Sequence, residues 1–72
     1  MYNEDEILKQ FGRNVKAERV RRGYTQEILA EKMNVNREYI SRIERGIQNM
    51  SLMKITALAN FLETDMNNLL KF

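Results

Sequence analysis

Between Asn36 and Arg45 the chain reads NREYISRIER, a stretch rich in side chains that can read a hydrogen-bonding surface. Arg37 can pair bidentately with guanine O6 and N7. Glu38 can accept from cytosine N4, or hold Arg37 or Arg42 in position. Tyr39 can lay its ring on a thymine methyl and offer its hydroxyl to a phosphate. Arg42, one turn beyond Glu38, can read a deeper base or hold a phosphate. Asn36 and Ser41 complete this outer face, while Ile40 and Ile43 point inward. The chemistry on offer is recognition rather than bond-making. Histidine and cysteine are both absent, so only scattered carboxylates remain of the usual catalytic and metal-binding groups. An enzyme is therefore not expected, and neither a metal nor a cofactor is.

Such a face is useful only on a rigidly presented helix, and residues 26–45 supply one. Leu29, Met33, Val35, Ile40 and Ile43 are the apolar positions. Ala30 is the small residue that lets two helices cross closely, and Asn34 tolerates the positive φ of the turn between them. A second helix pinned in this way fits the major groove of DNA. Gln26 opens the first helix of the pair, where its side chain and backbone N–H groups can meet a phosphate, and Thr25 caps it.

Charge is spread unevenly. The net charge is only +2, yet Lys9, Arg13, Lys16, Arg19, Arg21 and Arg22 stand against Glu18 alone in one run. That concentration on the first helix and the motif is what a phosphate-facing surface requires. The chain is 72 residues long and is read as one domain over 1–72, with the motif at about 25–45. Without cysteine it must stand on packing or association. The opening MYNEDE is unlike a targeting peptide, and no apolar run approaches membrane-spanning length, so a cytoplasmic location is expected, with no membrane partner.

With no proline present, helix ends are read from glycine, asparagine and caps. Asn3, with Glu6 after it, starts a first helix that carries Ile7, Phe11, Val15 and Arg19 on one face and stops at Gly23. Thr25 caps a helix over 26–33, Asn36 one over 37–45 that stops at Gly46, and Ser51 a fourth with a stripe of Leu52, Ile55, Leu58, Ala59 and Leu62. A short last helix runs from Met66 to about Lys71. Nothing reads as a strand, so the fold class is all-α.

From Phe11 to Leu70 the chain resembles the Cro/C1-type (xenobiotic response element) helix-turn-helix family of phage repressors and bacterial regulators. The matching words are KAERVRRGYTQEILAEKM, YISRIERG and NMSLMKITALANFL. The resemblance implies a five-helix, lambda-repressor-like DNA-binding domain whose third helix enters the major groove, usually as a two-fold dimer on a palindromic operator. Within the family, NREYISRIER is similar to the controller proteins of restriction–modification systems. The resemblance makes Gln26 a phosphate contact that also braces the third helix, and it pairs Arg19 with Glu44 as a structural ion pair. Arg45 is then the better phosphate candidate. Three positions depart from the family pattern. Asn34 replaces the usual glycine. The loop 46–50 lacks the usual basic residues and proline, leaving Asn49 and backbone amides to meet phosphate. Glu18 stands where leucine is common, so the first helix must bury less or turn that position outward.

The C-terminal end is richer in apolar residues than the remaining core needs. Met66 and Leu69 suit closing the bundle, and Phe61, Leu62, Met66, Leu70 and Phe72 are the expected contacts of a homodimer. These readings converge on an operator-binding regulator of double-stranded DNA that responds to no small molecule. It could be a phage or plasmid repressor, a restriction controller or an antitoxin. A protein-interaction module that had lost DNA binding would have an acidic or apolar third helix, contrary to Arg37 and Arg42.

Overall fold

The computed structural model describes residues 1–72 as five helices: α1 (Glu4–Arg21), α2 (Gln26–Met33), α3 (Arg37–Glu44), α4 (Leu52–Phe61) and α5 (Met66–Leu69). Each start is capped by a side-chain oxygen. Asn3 accepts from the N–H groups of Asp5 and Glu6, Thr25 from Ile28, Asn36 from Tyr39, Ser51 from Lys54 and Asp65 from Asn67. These caps satisfy first-turn donors that no helical carbonyl can reach. Asn34 takes the left-handed conformation, φ 56° and ψ 45°, as the turn between α2 and α3 demands. Glu63 does the same in the turn after α4, at φ 52°.

Ten residues form one core: Phe11, Val15, Leu29, Ala30, Ile40, Ile43, Leu58, Ala59, Leu62 and Leu69. Every helix contributes at least one of them, so α1, α2, α4 and α5 together form the platform under α3. No helix is long and apolar enough to cross a membrane.

Four expectations change. Leu52 is 65% exposed, so the inward stripe of α4 begins at Ile55. Leu62 is fully enclosed in the core and cannot reach a partner molecule from there. α5 ends at Leu69 rather than Lys71, because the side-chain amide of Asn14 on α1 donates to the carbonyls of Leu69 and Lys71 and draws the chain off the helix. Glu18 neither turns outward nor leaves a gap. It is 7% exposed and accepts a 2.8 Å hydrogen bond from the Thr64 hydroxyl, with the Arg21 guanidinium 3.9 Å away. A carboxylate can be enclosed there because the turn after α4 supplies its donor.

Candidate nucleic-acid interface

The inner side of α3 is held from three directions. Ile40 and Ile43 plug the core. Ala30 of α2, 3% exposed, is the small residue of the α2–α3 pair. Gly12 of α1 lies against the other end of α3, where a Cβ would come within 2.5 Å of the Ile43 carbonyl oxygen and 2.6 Å of that of Glu44. Only glycine allows that approach, and nothing in the apolar pattern of α1 singles it out. Over this crossing, Arg19 donates through Nε to Glu44 Oε2 at 2.6 Å and through Nη2 to Oε1 at 3.0 Å. Its Nη1 donates to the Tyr24 carbonyl at 2.8 Å, and Gln26 Nε2 donates to Glu44 Oε1 at 3.1 Å. The pair is enclosed, with side-chain exposures of 10% and 5%. Its role is to fix the angle between α1, α2 and α3, since a buried pair adds little net stability but is costly to break.

The outer side of α3 is open. At 100° per residue, Glu38 and Arg45 lie at the centre of the face opposite Ile40 and Ile43, with Arg42 on one flank and Ser41 and Arg37 on the other. Arg37 is exposed and is the one arginine of α3 without an intramolecular ion pair or side-chain hydrogen bond. Arg42 donates to Gln48 Oε1 at 3.3 Å. Glu38 holds neither Arg37 nor Arg42; its partner is Arg45, 2.7 Å away. Tyr39 is half-buried, its ring resting on the core, and Ser41, on the opposite flank of α3, is half-buried as well. The side-chain oxygens of Asn36 and Thr25 are engaged as caps. The Gln26 side chain is tied to Glu44, so the backbone N–H groups of Gln26 and Glu27 are the open donors at the start of α2.

The loop after α3 is arranged differently from the expectation. Asn49 lies beside Ile7 and Leu8 at the start of α1, and it is Gln48 that reaches the reading face. The basic run of α1 is not one surface either. Arg19, Arg21 and Arg22 are spent on Glu44, Glu18 and Glu63, while Lys9, Arg13 and Lys16 stay exposed and outside any ion pair. Charge counted along a sequence cannot show this for Arg19 and Arg22, because Glu44 comes from α3 and Glu63 from the turn after α4.

Of the residues expected at a dimer contact, Phe61 and Phe72 are 39% and 54% exposed. Met66 and Leu70 are half-buried against the core, and Leu70 lines an apolar groove with Ile7, Phe11, Met50 and Phe72. At the start of α4, Leu52 and Met53 are exposed as well, at 65% and 74%.

Residues 15–69 match the helix-turn-helix family. The immunity repressor protein of Bacillus phage phi105 is 45% identical over 51 residues, which cover 71% of this chain. The match spans only 35% of that repressor's length. The crystal structure of the restriction–modification controller protein C.AhdI from Aeromonas hydrophila superposes with a TM-score of 0.79 at 35% identity, covering 86% of this chain and 94% of that one. The controller protein C.Esp1396I, solved as a tetramer in complex with its natural 35 base-pair operator, gives 0.74 at 32% identity, covering 90% and 96%.

Proposed function

The chain belongs to the helix-turn-helix family, and from that premise we propose that it is a transcriptional regulator that binds a two-fold DNA operator as a homodimer. The observation that carries this reading is the two-sided character of α3. Its inner side is braced by Arg19, Glu44 and Gln26, and its outer side offers Arg37 with no competing partner inside the chain. A guanidinium presented on a rigid helix has little conformational freedom left to lose when it meets guanine. Arg37, Glu38, Tyr39, Ser41 and Arg42 face the bases. Thr25 and Gln26 at the start of α2, with Asn36 and Arg45, lie on the side of the phosphates. The C.Esp1396I complex, a tetramer on operator DNA, supports both the partner and the assembly. The task is binding rather than catalysis, and it is performed in the cytoplasm.

The test is selection of binding sites from randomised duplex DNA with the purified protein. An inverted repeat is expected, with half-site centres about 10 bp or a multiple apart, and it should be shifted in a gel assay. Recovery of sequences indistinguishable from the input pool would overturn the proposal.

A further inference from the structure

We propose that Glu38 and Arg45 form a specificity lock, in which the carboxylate holds Arg45 away from the DNA backbone until a base amino group takes its place. The inference rests on the DNA-binding reading above. Glu38 occupies the middle of the outer face of α3, where a helix in the major groove comes nearest the base edges. An ionised carboxylate only accepts hydrogen bonds, and most polar atoms of the major-groove edges are acceptors as well: N7 and O6 of guanine, N7 of adenine, O4 of thymine. Cytosine N4 and adenine N6 alone offer a donor. Every base pair carries one such amino group, on one strand only, so Glu38 is satisfied where cytosine or adenine lies on the strand it faces and repelled where guanine or thymine does, which is discrimination through a repulsive element.

Arg45 sits two turns further along the same stripe and folds back onto Glu38, Nη2 to Oε1 at 2.7 Å, with its Nε 3.4 Å from the Ser41 carbonyl oxygen. Both side chains are more than half exposed, 54% and 62%, so the pair is easily opened. On an unsuitable sequence Arg45 stays on Glu38 and neutralises it, and no phosphate contact is made. On a site with cytosine or adenine opposite Glu38, the amino group satisfies the carboxylate and Arg45 swings to a phosphate. Sequence recognition and backbone affinity are thereby coupled through one ion pair.

The coupling is read from salt dependence. Affinity for the selected site and for a shuffled duplex is measured from about 50 to about 200 mM salt for wild type, Glu38→Gln and Arg45→Gln, with circular dichroism to confirm the fold. Glu38→Gln frees Arg45 everywhere. The salt slope on shuffled DNA should steepen by up to about one per protomer, the ratio of specific to non-specific affinity should fall about tenfold, and any cytosine preference should vanish on re-selection, since a glutamine amide pairs with adenine instead. Arg45→Gln should flatten the slope by about one per protomer on the selected site and by less on shuffled DNA. A Glu38→Gln protein with the wild-type slope, ratio and consensus would overturn the lock while leaving the DNA-binding reading intact. Wild type that fails to distinguish the two duplexes would overturn both.

Discussion

The inner side of α3 is settled by contacts within bond reach, with Gly12 against two carbonyls and the Arg19 fork closed on Glu44, whereas its outer side carries long, exposed, loosely engaged chains. The two sides share one backbone but answer to different physics. On the inner side, atoms are close-packed and polar groups are enclosed, so a change of one methyl group or one charge is felt through the whole fold. On the outer side, water fills whatever a substitution vacates, and the fold is indifferent. Stability and recognition are thus separable in this chain, residue by residue, along a helix of two turns.

The largest test of that division is Glu44→Ala. It leaves the Arg19 guanidinium enclosed without its acceptor and unties Gln26, and the expected loss is about 3–5 kcal/mol of folding stability. In a thermal melt this lowers the midpoint by well over 10 °C for a domain of this size. A melt within a few degrees of wild type would mean that α3 is held by its apolar residues alone. Gly12→Ala comes next. The added methyl would overlap the Ile43 and Glu44 carbonyls, so α1 and α3 must separate, at a cost of about 1–3 kcal/mol. Chemical denaturation measures it, and a neutral result would place the crossing elsewhere.

Much of the inner side was legible in the sequence. The caps at Asn3, Thr25, Asn36 and Ser51, the left-handed Asn34, and the inward Ile40 and Ile43 all follow from local chemistry and helical period. What was not legible depends on contacts distant along the chain. Gly12 is marked only by α3 crossing over it, and Glu18 is stabilised by Thr64, 46 positions away. Leu62 and Phe61 are adjacent, yet one is enclosed and the other 39% exposed, because residues next to each other on a helix point 100° apart. Composition marked both as apolar. The pairing of Glu38 with Arg45 rather than Arg42 was hidden for another reason. An i,i+4 neighbour is the default on a helix, and here Gln48 has already engaged Arg42.

On the outer side the expectation is reversed. Arg37→Ala should leave the melting midpoint within experimental scatter and weaken operator binding by about 1–3 kcal/mol, relaxing preference at one base per half-site. Gln26→Ala stands between the two sides. Its amide braces Glu44, so it should cost some stability and also weaken binding to all sequences in similar proportion. Selection on randomised sites that returned an unchanged consensus for Arg37→Ala would remove Arg37 as a base reader.

The smallest effect is expected where the surface is apolar but already half-covered. Phe61 is 39% exposed, so the burial still to be gained at a dimer contact is about 1 kcal/mol, and Phe72, 54% exposed, offers somewhat more. One domain reaches one half-site, and joining two copies turns the second contact into an intramolecular event, so a small association term is amplified on the operator. Phe61→Lys and Phe72→Glu should each lower the dimer fraction in sedimentation at micromolar protein, reduce affinity for the two-half-site operator, and leave affinity for an isolated half-site unchanged. Neither should alter the melt, because neither side chain is in the core. Leu62→Ala makes the contrast within the same helix end. It opens a cavity in the core and should cost about 2–5 kcal/mol of fold, with any loss of dimer following from that. If Phe61→Lys and Phe72→Glu left the dimer fraction and operator affinity at wild-type values, the partner would have to meet another surface, and the exposed Leu52 and Met53 of α4 would be the next positions to charge.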